Sequence, residues 1–392
     1  MSDTDAFELT STARKSAIAA EIWGPSSTLE AEQNRVAMLE SFFQCYQDEQ
    51  ESEEIDHTEV LAAIRIIKRR PETKRVDLHS SDRASAASDE TTDVFMLELA
   101  VRSMFLAACT HRTRHGTESL STQTVFRPRW KDSESLTTYL GRVFPVSQPP
   151  QQDLLGFRIG KLRISYLETY TSVAIEWTNH LSDHLVLLRG ETWKKLYIFR
   201  HPSFLKVSLE RLRMNDEEMG QSDVEALRLG CLPPGLLKET RLTMNLLFPI
   251  IGDSVSRTVL EREVRRHNLD PYLLDHFYLD MRDHESPRDA LEPRDIRGLY
   301  EKYPYWADRL YDLWREADDP TPITRIERWT EARKNPRFTY WCAVVSIMLA
   351  IMFGLLATGL AAIQVWISWC DWLDDPSLSQ CGYKNVTSKG RL

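Results

Sequence analysis

Between Arg337 and Asp371 the chain carries no charged residue. Those 33 residues, 338–370, exceed the ~20 that a helix needs to cross a ~30 Å hydrocarbon core. The stretch Trp341 to Ile363 reads WCAVVSIMLAIMFGLLATGLAAI and is the expected buried part. A span must be helical, because each unpaired backbone group in hydrocarbon costs several kcal/mol. Aromatic residues gather at both ends, with Phe338, Tyr340 and Trp341 before the stretch and Trp366, Trp369 and Trp372 after it. Such belts mark the two membrane interfaces. A core helix of a globular domain rarely runs this long without a polar stripe.

Flanking charge sets the expected orientation. Arg325, Arg328, Arg333, Lys334 and Arg337 precede the run, whereas Asp371, Asp374 and Asp375 follow it. Lys and Arg stay on the cytosolic side, so the N-terminal part is expected in the cytosol and the tail in the lumen or outside. The first residues, MSDTDAFELTSTARKSAIAAEIW, contain no apolar core of signal-peptide length. Small residues Ser346, Ala350, Gly354, Thr358 and Ala362 recur every four positions, a pattern that permits a homodimer through this helix but that chance also produces among so many small residues. In the tail, Asn385-Val386-Thr387 is an N-glycosylation sequon, and Cys370 and Cys381 lie on the same side, where a disulfide is permitted.

Of the 392 residues, the 337 before the run carry the whole net charge of −9, since three acids balance Lys384, Lys389 and Arg391 in the tail. That acidity excludes a nucleic-acid partner, which needs a basic face. The six cysteines (45, 109, 231, 342, 370 and 381) form no CxxC pair, so no zinc ribbon is implied.

Residues 1–70 read as helical. Ser27 and Glu30 fit a capping box ahead of Leu29, Val36, Leu39, Phe42 and Phe43, residues 47–56 form an acidic connector, and Thr58 opens a helix that Pro71 stops. Residues 71–92 are Ser/Asp-rich without apolar periodicity and read as a disordered linker. Asp93 then caps VFMLELAVRSMFLAAC, apolar nearly all round and so a central core helix, with Glu98 and Arg102 expected to pair at i,i+4 on its surface. Ser133 opens a helix with Leu136, Tyr139, Leu140 and Val143 on one side. Val173, Ile175 and Trp177 alternate with polar or small residues, Trp193–Phe199 is a second strand-like run, and Gly190 offers a turn between them. Helical patterns continue over Ser203–Arg213, Ser222–Leu229, Gly235–Phe248 and Ser254–His267, then at Trp306, Leu310, Leu313 and Trp314.

The expected fold is mainly α with a small antiparallel β element and a C-terminal single transmembrane helix. Its expected parts are an N-terminal helical segment (1–70), a linker (71–92), a cytosolic helical domain (93–316), a basic juxtamembrane helix (317–337), the transmembrane helix (338–370) and a short lumenal or extracellular tail (371–392). In the juxtamembrane part, Ile323, Ile326 and Trp329 share one face among basic residues, which suits an anionic bilayer surface.

Four segments together resemble one family. They are KLYIFRHPSFLKVSLERLR, RLGCLPPGLLKET, SVSRTVLEREV and the juxtamembrane RIERWTEARKNPRFTYW before a terminal span. In that order they resemble a family of uncharacterised single-span membrane proteins of filamentous ascomycete fungi, over about residues 93–370. The resemblance implies topology, a cytosolic helical domain and one C-terminal membrane helix. It implies no activity, cofactor or site residue.

Motifs with chemistry are few. Gly252-Asp253-Ser254-Val255 has the letters of a GDS-type hydrolase block, but Gly252 ending one helix and Asp253 or Ser254 capping the next accounts for every residue. Gly156–Lys161 has three residues between its glycines and Leu162 where a phosphate loop needs a hydroxyl. His180 and His184, and His111 and His115, stand at i,i+4, and five aspartates with His276, His284 and Glu285 fall between Asp270 and Asp289. Such groups can hold a metal, yet no complete ligand set or cofactor motif is present, and none is expected. Two functional classes remain. The first is a membrane-anchored protein whose partners are the lipid bilayer and another protein, its helical domain an interaction or regulatory module. The alternative is a membrane-tethered, hydrolase-like enzyme whose polar residues converge from distant segments.

Overall fold

The computed structural model describes residues 3–53, 57–80, 90–107, 128–150, 157–216, 220–249, 253–275, 292–321 and 336–372. It divides into two units, Met1–Thr321 and Pro322–Leu392.

The first unit begins with α1 (Asp3–Trp23), α2 (Leu29–Met38), α3 (Glu40–Glu53) and α4 (His57–Arg69). Thr28, not Ser27, caps α2, its hydroxyl accepting from Ala31 N at 3.1 Å. The one-residue shift leaves Leu29 77% exposed, while Val36, Leu39, Phe42 and Phe43 are buried. Helix α3 continues into the acidic stretch read as a connector. In α4, Val60, Ala63, Ile64 and Ile67 face the core and Lys68 reaches the terminal carbonyls of α1, donating to Glu21 O and Ile22 O. A cation at the carbonyl end of a helix satisfies groups that have no partner within it. These helices do not stand apart from the body. Trp23 Nε1 donates to Ser208 Oγ at 3.0 Å, and Phe42 stacks on Phe204 at 5.8 Å, so residues 1–70 share one core with the rest of the first unit.

The linker reading needs correction over residues 71–80, and over 90–92, where the next helix already begins at Glu90, ahead of the expected cap Asp93. Pro71 is buried, Arg75 N donates to Glu134 O at 3.0 Å, and α5 spans Arg75–Ser80. The cause is one side chain. The Arg75 guanidinium is buried, ion-paired with Glu98 at 2.8 Å, donates to Trp130 O and lies over the Trp130 ring. Composition said mobile, whereas a buried ion pair pins the segment. Residues 81–89 lie outside the described set.

Helix α6 (Glu90–Phe105) is the central core helix, with Met96, Leu97, Leu99, Ala100, Val101, Met104 and Phe105 all buried. Glu98 does not sit on the surface beside Arg102. Both are buried, and Glu98 pairs with Arg75. Ser135, two residues later than expected, caps α7 (Leu136–Val143), whose four expected apolar positions are all buried.

After α8 (Ile164–Tyr170) come β1 (Val173–Thr178), β2 (Leu187–Arg189) and β3 (Lys194–Phe199), in the order β1-β3-β2. The sheet is mixed rather than purely antiparallel. The two foreseen strands pair in parallel, Val173 opposite Lys194 through Thr178 opposite Phe199, and only the short β2 runs antiparallel to β3. The remaining helices of this unit are α9 (Pro202–Asn215), α10 (Asp223–Arg228), α11 (Pro234–Leu247), α12 (Ser254–His267), α13 (Tyr272–Asp275), α14 (Ile296–Lys302) and α15 (Ala307–Asp318). Ser222 and Glu225 form a capping box at α10. Behind it, Gly230 has φ +78°, and a Cβ there would stand 2.1 Å from Ile22 O, so only glycine permits this approach to the end of α1.

The second unit contains α16 (Pro336–Trp372), 37 residues long. Its stretch Ala343–Trp369 is long and apolar enough to cross a membrane and is 0% buried within the structure. At 1.5 Å per residue, 27 residues reach about 40 Å.

Candidate functional site

Because β1 and β3 are parallel, their carboxyl ends open on the same edge of the sheet. In open α/β sheets that edge is where ligands are bound. Here it carries Asn179, His180 and the turn Leu181–Asp183 after β1, and Arg200 and His201 after β3. Thr178, His180, Ser182, Asp183, His184, His201 and Ser203 are all buried. A buried polar group costs a few kcal/mol unless it is hydrogen-bonded, so the partners are informative.

His184 is fully enclosed. Its Nδ1 accepts from the Phe199 N–H at 3.2 Å, so Nε2 carries the proton and donates to Thr243 Oγ1 at 2.8 Å. The Thr243 hydroxyl in turn donates to Thr240 O at 2.7 Å, and Trp306 meets the imidazole edge-on at 5.1 Å. Burial, then the nearby Arg309 charge, push the His184 pKa down to about 3. Arg309 itself donates to Ser182 O and His184 O and lies over Trp306.

His201 is equally buried but engages two side chains. Nε2 meets Asn179 Oδ1 at 3.0 Å, and Nδ1 meets Ser41 Oγ at 3.1 Å. Burial, with the Arg200 and His180 charges, holds its pKa down at about 3. Beside it, Asp270 accepts from Ser203 N and Tyr272 N, each at 3.0 Å, and burial raises its carboxyl above the usual range. Farther along, Glu239 accepts from Tyr305 N and Trp306 N ahead of α15, while burial pushes its carboxyl up to about 8.

The expected site residues fare unevenly. His180 and His184 flank the short turn Leu181–Asp183 rather than lying along an α-helix. Both ring nitrogens of His184 are engaged by protein groups, which leaves it no lone pair for a metal. Asp253 caps α12, accepting from Ser256 N at 3.1 Å, and its second oxygen takes the hydroxyls of Ser165 (2.6 Å) and Ser256 (2.7 Å). Within the Gly-Asp-Ser-Val block, Asp253 is therefore a helix cap and Ser254 the first residue of α12, with Gly252 outside the described residues. Ile159–Leu162 form a short 3₁₀ turn. Cys370 falls in the last turn of α16, whereas Cys381, Asn385, His111, His115, residues 276–291 and residues 322–335 of the juxtamembrane helix lie outside the described residues. Ser41, Asn179, His201 and Thr243 carried no sequence signal, because Ser41 and His201 are 160 positions apart and meet only through the fold.

No protein-family model, no curated protein and no solved structure matches the chain.

Proposed function

We propose that the chain is a single-pass membrane protein in which α16 crosses the bilayer and residues 1–321 form a cytosolic interaction or regulatory module. One observation carries the reading. Residues 1–321 bury a core of their own, from Ile18 to Ala317, while Ala343–Trp369 is 0% buried among the described residues. Uncovered apolar surface on that scale is stabilised by lipid or by a partner. The arginines before α16 and the aspartates after it support an N-terminal part in the cytosol. The resemblance to the fungal single-span family points to the same arrangement.

The orientation has consequences in the tail. On the lumenal side Asn385 is accessible to glycosylation and Cys370 with Cys381 to disulfide formation, and the opposite orientation forbids both. Protease added to intact microsomes should destroy residues 1–321. An endoglycosidase should increase gel mobility, and Asn385→Gln should abolish that shift. Protection of residues 1–321 would overturn the orientation.

A further inference from the structure

Ser41 in the first turn of α3, His201 between β3 and α9 and Asn179 after β1 stand in one line of hydrogen bonds, 3.1 and 3.0 Å long. We propose that these three residues form a nucleophilic acyl-transfer centre. In it Ser41 attacks a reactive ester or thioester, His201 takes and returns the proton, and Asn179 fixes the imidazole. The proposal goes beyond the membrane-anchor reading and does not depend on it.

A serine hydroxyl is a weak nucleophile near neutral pH unless a base within hydrogen-bond reach removes its proton during attack. The recognisable arrangement is nucleophile to base, then base to an orienting group. With the Asn179 oxygen facing Nε2, that nitrogen carries the ring proton and Nδ1 keeps its lone pair for the Ser41 hydroxyl.

The comparison with His184 separates this arrangement from ordinary core satisfaction. From His184 the hydrogen bonds run inward, through buried Thr243 to the carbonyl of Thr240. From His201 they run outward, to a hydroxyl on a partly exposed residue, while the imidazole behind it is fully buried. A reactive oxygen at the boundary with a buried base behind it is what acyl transfer uses.

The step balances without any further reactant than water. Ser41 Oγ bonds to the acyl carbon as its proton passes to His201 Nδ1. The bond from that carbon to the leaving alcohol or thiol breaks, and the imidazolium returns the proton to the departing group. Water then repeats the sequence, releasing the acid and restoring Ser41.

The test is covalent. The full chain in detergent micelles is treated with a reporter-tagged fluorophosphonate, and the adduct is mapped by peptide mass. In this probe a bond forms between Ser41 Oγ and phosphorus, the P–F bond breaks, and the proton leaves with fluoride. The expected result is an adduct on Ser41, lost in Ser41→Ala and slowed roughly a hundredfold or more in His201→Gln. Asn179→Asp should label faster than wild type, since a carboxylate stabilises the imidazolium that an amide does not. A purely structural Asn179 would not produce that gain. No adduct on Ser41 overturns the proposal, as does an unchanged rate in a folded His201→Gln. If His201→Gln does not fold, a rate in Asn179→Asp at or below wild type overturns it.

Discussion

Helices α6 and α16 are both apolar nearly all round, yet they end in opposite surroundings. Every described side chain of α6 from Met96 to Phe105 is buried, while Ala343–Trp369 of α16 is 0% buried. Two differences separate them. Helix α6 has 16 residues, too few to cross a bilayer, and it carries Glu98 and Arg102. Helix α16 has 33 successive residues without a charge, 338–370. A charge within an apolar helix is therefore the informative residue. In α6, Glu98 is the anchor for Arg75 and for the segment that would otherwise be loose. In α16, Ala343–Trp369 carries no charged residue that could act in the same way.

The largest expected effect breaks this comparison at α6. Glu98→Ala leaves the buried Arg75 guanidinium with only the exposed Asp132 carboxylate at 3.8 Å, and removing one partner of a buried pair costs about 3–5 kcal/mol. Thermal or urea unfolding of residues 1–321 measures it. A loss below about 1 kcal/mol would mean that α6 is held by its apolar surface alone, as α16 is expected to be.

Acid sharpens the contrast, because Ala343–Trp369 holds no group that titrates between pH 5 and 7. His184 and His201 have pKa values of about 3 in the fold against about 6.5 unfolded, so both are neutral when native. Their contribution is complete above the unfolded value and is lost as pH falls, up to about 4 kcal/mol for the pair between pH 7 and 5. Glu239 acts in the opposite direction. Its carboxyl, at about 8 in the fold, offsets part of that loss over the same fall, and the raised Asp270 acts in the same direction. Glu239→Gln keeps an acceptor for Tyr305 N and Trp306 N but does not titrate, so it should be more acid-sensitive than wild type. Equal sensitivity would show that Glu239 is already ionised in the fold.

Next in size is Gly354→Arg, which places a charge midway along α16 and should cost about 2.5–3.5 kcal/mol of insertion. The melting temperature of residues 1–321 should not change. The smallest effect concerns self-association. Gly354→Leu interrupts the small-residue ladder and should weaken a membrane two-hybrid signal by about 1 kcal/mol or less, whereas Leu355→Ala should not. Equal signals would make the ladder coincidental.

Helices with a one-sided apolar pattern were legible, and α12 falls on the residues expected from its pattern. Caps slipped by one or two residues where several hydroxyls adjoin, as at Ser27 and Thr28 or Ser133 and Ser135. The sheet was only half legible. Gly190 does turn the chain, but between β2 and β3, and a three-residue strand is too short to show a period. With β2 unseen, β1 and β3 looked like a hairpin. Residues 71–80 failed for another reason, since composition reports average solvation and not one buried arginine. The polar centre was illegible, because Ser41, Asn179 and His201 meet only after α3, β1 and β3 are in place.

The most direct measurement is carbonate extraction of membranes carrying either the full chain or a chain ending at Thr321. The full chain should remain in the pellet, and the shortened chain should appear in the supernatant with the melting temperature that residues 1–321 show in the full chain. A full chain released into the supernatant would contradict the membrane span, and an unfolded shortened chain would contradict a self-sufficient first unit.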